Sequence, residues 1–153
     1  MSRAFTKEDH EIPERAGRKR SRSGLPPGAA NYMTAKGADH FRRELEGMRA
    51  QTARKDPAIA ERISELEELL QDVTVVPART ETPAEVLFGT TVTTRSPDGT
   101  LKRLRIVGVD ETALDPDSES WCSPTAKVLL GAEIGQRIQL SDGTKVEIVE
   151  ISP

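Results

Sequence analysis

The chain has 153 residues, 35% apolar and 31% charged, with 11 glycines and 10 prolines, which suits one domain or two small ones and excludes a large catalytic fold. Its five aromatic residues exclude a nucleic-acid platform built on serial base stacking, and a single cysteine, Cys122, excludes an intramolecular disulfide and a cysteine-based zinc site. The net charge of −3 is unevenly spread: residues 1–30 carry seven Lys/Arg against four Asp/Glu, 31–72 seven against nine, and 73–153 eight against twelve.

Residues 1–30 are expected to form a disordered basic leader, because the stretch from Glu14 to Gly28 has almost nothing apolar to offset the entropy of ordering it. Its cations Arg15, Arg18, Lys19, Arg20 and Arg22 can attract phosphate, so weak nucleic-acid contact is one reading and a solubilising tail the other. From Asn31 the pattern becomes helical. Thr34 is a candidate N-cap, and Ala38, Phe41, Leu45 and Met48 recur at spacings of three and four on one face. Asp56-Pro57 supplies a cap and a first-turn proline for a second helix ending near Asp72, with Ile59, Ile63, Leu66, Leu70 and Val73 in a heptad seam. Two such stripes hide best against each other, which predicts an antiparallel helical hairpin, a short coiled coil, over 31–73, reaching about 30 Å.

Beyond Val73 the period falls to two, predicting an antiparallel β-sheet domain with one short helix over 74–153, and hence an α+β fold. Thr90–Arg95 and Leu101–Val109 flank the turn Ser96-Pro97-Asp98-Gly99. Leu104 and Ile106 should face the core, with Arg103 and Arg105 facing water. Trp121-Cys122 reads as a short buried strand. Ser123-Pro124 opens a helix that stops at Gly131, and Ile138–Leu140 pairs with Lys145–Ile151 across Ser141-Asp142-Gly143-Thr144. Phe88, Val92, Ile106, Ile138, Val146 and Ile148 are the expected core.

No catalytic constellation assembles. His10 and His40 lack a second ligand at metal spacing, Cys122 lacks a general base, and no phosphate-cradling glycine loop occurs. The acids Asp110, Glu111, Asp115 and Asp117 are expected to be solvated turn formers. The sequence therefore predicts no enzyme, cofactor, metal or small-molecule substrate. With no apolar run of about 18 residues and no apolar stretch at the start, it also predicts a soluble, cytoplasmic protein without membrane contact.

Four segments in order carry a family resemblance: Val86-Leu87-Phe88-Gly89-Thr90-Thr91-Val92; Arg105-Ile106-Val107-Gly108 with Asp110-Glu111; Ser123-Pro124-Thr125-Ala126-Lys127-Val128-Leu129-Leu130-Gly131; and Gly135 with the Gly143 hairpin. The last third thus resembles the C-terminal domain of the bacterial GreA/GreB transcript cleavage and elongation factors, and Asn31–Gly37 with Arg43-Glu44-Leu45 resembles the start of their first helix. The resemblance implies an FKBP-like domain that docks on RNA polymerase at the rim of the secondary channel, on a coiled coil of the β′ subunit. It assigns Ser123, Pro124, Ala126, Leu129 and Leu130 to the docking segment, although Leu129 and Leu130 can equally close the domain's own core. Peptidyl-prolyl isomerase activity does not follow from such a shape, because fold does not confer function and so few aromatics cannot line that pocket. The family's longer coiled coil carries at its tip an acidic Gly-Asp-Leu-x-Glu-Asn motif that helps the polymerase hold Mg²⁺ and cut backtracked RNA. Here the connection is Thr52-Ala53-Arg54-Lys55-Asp56-Pro57-Ala58-Ile59-Ala60-Glu61. It has two cations and no matching acid pair, Asp56 and Glu61 being the nearest acids, on a hairpin about half the family's length. Cleavage stimulation is therefore not expected, since metal ligation demands contacts of about 2 Å.

Overall fold

The computed structural model describes residues 25–51 and 56–153. A short strand β1 (Tyr32–Thr34) runs into helix α1 (Ala35–Ala50), and helix α2 (Pro57–Asp72) returns to strand β2 (Thr74–Val76). Thr34 caps α1, its hydroxyl accepting a 3.0 Å hydrogen bond from Gly37 N, and Asp56 caps α2 by accepting from Ala58 N at 2.9 Å, with Pro57 in the first helical position. Each helix has 16 residues, a rise of about 24 Å, shorter than the roughly 30 Å expected of the arm. Ala38, Phe41 and Leu45 of α1 meet Leu66 of α2 and Met33 of β1 in one buried cluster, flanked by Met48, Ile63, Leu69, Leu70, Val73 and Val75. Across the helices the Arg62 guanidinium bonds both oxygens of Glu44, at 2.8 and 3.1 Å, and those bonds raise its pKa above the ordinary arginine value.

The sequence pattern missed one feature here. β1 and β2 pair in parallel, Tyr32 opposite Thr74, Met33 opposite Val75 and Thr34 opposite Val76, so the hairpin is closed at its base by backbone hydrogen bonding.

Five strands form the second sheet: β3 (Thr91–Arg95), β4 (Leu101–Val107), β5 (Ser118–Ser120), β6 (Arg137–Gln139) and β7 (Lys145–Ser152), in the order β5-β4-β3-β7-β6. The expected hairpins form. At the β3–β4 turn Ser96 N donates to Thr100 O at 2.9 Å, and at the β6–β7 turn Leu140 N donates to Thr144 O at 2.8 Å. Asp98 and Asp142 accept from the backbone N–H of Thr100 and Thr144, which holds both carboxyls below the usual aspartate value. The stabilisation they add is present at neutral pH and lost as the pH falls through those lowered values.

Two expectations need correction. The sheet is mixed, because the connection after β4 lays β5 parallel to it, Arg105 opposite Ser118 and Val107 opposite Ser120. Trp121-Cys122 is a half-buried turn after β5: Trp121 N makes the last bond to β4, at Val107 O, and the Ser123 N to Ser120 O bond then turns the chain away from the ladder. The inner face of the sheet packs Val92, Leu104, Ile106, Ile148 and Ile151 against Ala126 and Leu129 of the short helix α3 (Pro124–Leu129). Val146 is buried as well, while Phe88 and Ile138 are half-buried at the margin of that core. The architecture is mixed α+β. Among the described residues, no helix is long and apolar enough to cross a membrane.

Candidate functional site

Helix α3 opens as its sequence requires: Ser123 Oγ accepts from Ala126 N at 3.0 Å, Pro124 occupies the first turn, and Gly131, at φ +84°, ends the segment in the left-handed region. Ala126 and Leu129 are fully buried in the sheet core and Leu130 is half-buried against it. A helix of six residues seats positions three apart on one side, so Ala126 and Leu129 anchor α3 instead of facing a partner. The outward side consists of Pro124, Lys127 and Val128, and Ile134 is exposed beyond the Gly131 turn. Ser123 is half-buried and its hydroxyl is engaged in the cap.

Cys122 lies directly before the cap of α3. Burial pushes its thiol above the usual cysteine value, against the smaller downward pulls of the Ser120 hydroxyl and the Lys127 charge. Alkylation by iodoacetamide, followed as the pH is raised from neutral, should therefore show a midpoint above the value of about 8.5 for an unstructured cysteine peptide. Lys127→Gln should move it further up. A midpoint at or below the peptide's would contradict the burial of the sulfur.

At the far end of the hairpin, Thr52 to Lys55 lie outside the described residues, as do Arg15, Arg18, Lys19, Arg20 and Arg22 of the basic run. Asp56 is exposed and committed to capping α2, and Glu61 is exposed one turn further on. Among the described residues, no group of three or more His, Cys, Asp or Glu side chains is placed to hold a metal ion. Asp115 and Asp117 are exposed turn residues, Asp115 Oδ1 accepting from Asp117 N at 2.9 Å.

Glu111 is not a solvated turn former. It is 3% exposed and sits where the base of the hairpin meets the sheet domain. Its Oε2 accepts from Gly108 N at 2.7 Å and from Thr34 N at 3.0 Å, and its Oε1 accepts from the Thr34 hydroxyl. The chain after β4 makes a single 3-10 turn, Val109–Glu111, which folds the carboxylate back toward the start of α1. There the unpaired N–H groups and the positive end of the helix favour an anion. Two glycines make room for it. A Cβ on Gly37 would overlap Glu111 Oε1 and lie 2.5 and 2.7 Å from its Cδ and Cγ, and a Cβ on Gly108 would overlap the Tyr32 carbonyl oxygen. Beside this cradle Asn31 Nδ2 donates to Asp110 Oδ2 at 3.0 Å, and the Tyr32 ring packs edge-on to Trp121 at 5.4 Å and tilted on Phe88 at 6.0 Å. The available signal was Gly37 itself: a glycine in the first turn of a helix lowers helix propensity and so marks a close approach.

The family model for the C-terminal part of transcription elongation factors GreA/GreB matches residues 81–153. Transcription elongation factor GreB of Pseudomonas aeruginosa is 38% identical over 80 residues, covering 52% of this chain and 48% of that protein. GreA of Nautilia profundicola is 34% identical over 98 residues, covering 63% and 60%. The chain thus spans about half to three-fifths of the length of the curated relatives it matches. Among solved structures, the GreA/GreB factor of Nitrosomonas europaea superposes with a TM-score of 0.42 at 24% identity, over 80% of this chain and 98% of that one. Gfh1 of Thermus thermophilus gives a TM-score of 0.41 at 20% identity, over 82% and 100%.

Proposed function

We propose, from the match of residues 81–153 to the C-terminal family model of transcription elongation factors GreA/GreB, that this chain is a cytoplasmic RNA polymerase-binding elongation regulator. The domain over 74–153 is FKBP-like and docks at the rim of the secondary channel, on the β′ coiled coil. It does so through the outward side of α3: Pro124, Lys127 and Val128, with Ser123 holding the helix start. A small apolar patch rimmed by one cation suits a partner's helical hairpin. The hairpin over 31–73 is a short coiled coil directed toward the channel without an acidic tip, so the protein is not an enzyme and does not help the polymerase cut RNA. The observation that carries the docking is the family match. The 16-residue helices, and the cations Arg54 and Lys55 immediately preceding Asp56 in the sequence, support the absence of cleavage stimulation.

Tagged chain should capture core polymerase, and full-length GreA should displace it. Val128→Asp should weaken capture at least about tenfold, as loss of a central apolar contact does. Backtracked complexes should show no added cleavage. Absent capture, or capture indifferent to GreA, would sink the docking; robust cleavage would overturn the absence of cleavage stimulation. The basic run Arg15–Arg22 supports a second reading, a nucleic-acid tether. Replacing its five cations with glutamine discriminates the two, because salt-sensitive RNA binding should then vanish while polymerase capture survives.

A further inference from the structure

We infer that Glu111 is a positioning residue that fixes the direction in which the helical hairpin leaves the docking domain. Several contacts cross this junction, but they differ in how much direction they impose. The Tyr32 ring contacts with Trp121 and Phe88 are apolar and tolerate sliding. The Asn31–Asp110 bond is partly open to water, which can replace either partner. The Glu111 carboxylate is buried, and its three donors come from both sides: Gly108 N from the domain, Thr34 N and the Thr34 hydroxyl from the first residue before α1.

The same Thr34 oxygen that donates to Glu111 accepts from Gly37 N, so the helix cap and the junction are one chain of hydrogen bonds. Turning the hairpin in any direction withdraws two of the three donors and leaves a buried carboxylate half-solvated by protein, which is a costly state. Gly37 and Gly108 confine the site further. The carboxylate occupies the space a Cβ would need at position 37, and the Tyr32 backbone occupies that space at position 108, so the two bodies approach as closely as glycine permits. The functional meaning of a fixed direction rests on the proposed docking, because a factor held at the rim delivers its arm into the channel only if the arm leaves the domain at a defined angle.

The test uses the free full chain and needs no polymerase, so its failure and failure of the docking proposal are distinguishable. Spin labels on Arg43→Cys in α1 and Gln139→Cys in β6, both exposed, are placed in a Cys122→Ser background, and their distance distribution is read by pulsed electron paramagnetic resonance. The Glu111 parent should give one narrow distribution. Glu111→Ala should broaden it about twofold or add a second maximum, as expected when one orientation ceases to dominate the ensemble. Glu111→Gln should keep it narrow, because its amide oxygen can accept from the two N–H groups while its NH₂ donates to Thr34 Oγ1. Ile148→Ala, which weakens the sheet core without touching the junction, should also leave it narrow. An unchanged distribution in Glu111→Ala overturns the inference. So does equal broadening in Ile148→Ala, which would make the effect one of general stability.

Discussion

Replacing Glu111 with alanine should destabilise the folded chain by about 4 kcal/mol, a loss typical of stripping the partner from a buried charge network. The arithmetic favours the hydrogen bonds over the charge. Two backbone N–H groups, those of Thr34 and Gly108, lose their acceptor inside the protein, and each buried donor left without a partner costs about 1–3 kcal/mol. The carboxylate's attraction to the N-terminus of α1 is smaller, about 0.3–1 kcal/mol and up to about 2 in a partly buried setting. Thermal or urea unfolding of Glu111→Ala should therefore show a midpoint lowered by on the order of 10 °C or its denaturant equivalent. Glu111→Gln, which keeps an acceptor for both N–H groups and loses only the charge, should cost less than about 2 kcal/mol. Equal losses in the two variants would mean that charge at the helix end, and not hydrogen-bond geometry, holds the junction.

The glycines around that carboxylate give the second large effect, with both substitutions damaging but only one of them rescued by removing Glu111. In an open helix Gly37→Ala would gain up to about 1 kcal/mol. Here the added methyl meets three atoms of the Glu111 side chain at once, and rotation of one terminal oxygen cannot relieve all three. Overpacking of this kind costs about 3 kcal/mol, which outweighs the helix gain. In a Glu111→Ala background the obstruction is gone, so the same substitution should become neutral or stabilising, a coupling of about 3 kcal/mol. Gly108→Ala should be at least as damaging and should not be rescued, because the obstruction is the Tyr32 carbonyl of the backbone. Additive losses at Gly37 and Glu111 in unfolding experiments would refute the close approach of α1 to the carboxylate.

Much of the fold was legible because local chemistry and final structure agree. Thr34, Asp56-Pro57 and Ser123-Pro124 start helices where capping hydroxyls, carboxylates and first-turn prolines belong. Ser96–Gly99 and Ser141–Thr144 turn where Asp and Gly demand. What stayed hidden depends on partners distant in sequence. Tyr32-Met33-Thr34 is too short to show a strand period, and its mate begins at Thr74. β5 is likewise three residues placed by its pairing with β4. At the candidate site, the helix over Pro124–Leu129 was visible but its facing was not. Leu129 and Val128 are both apolar, and only the packing of α3 on the sheet decides that the first is buried and the second exposed. Glu111 was misjudged for the same reason: an acid in a turn is ordinarily wet, and its donors at Thr34 come from 77 positions earlier.

The parallel pairing of Tyr32–Thr34 with Thr74–Val76 anchors both feet of the helical arm side by side. Growth or shrinkage of that arm is thereby uncoupled from its seat. Splicing one heptad into each helix extends the arm by about 10.5 Å while preserving the phase of the apolar seam. The same mounting can thus carry probes of different lengths, and reach becomes a quantity adjustable in whole-heptad steps without redesigning the socket.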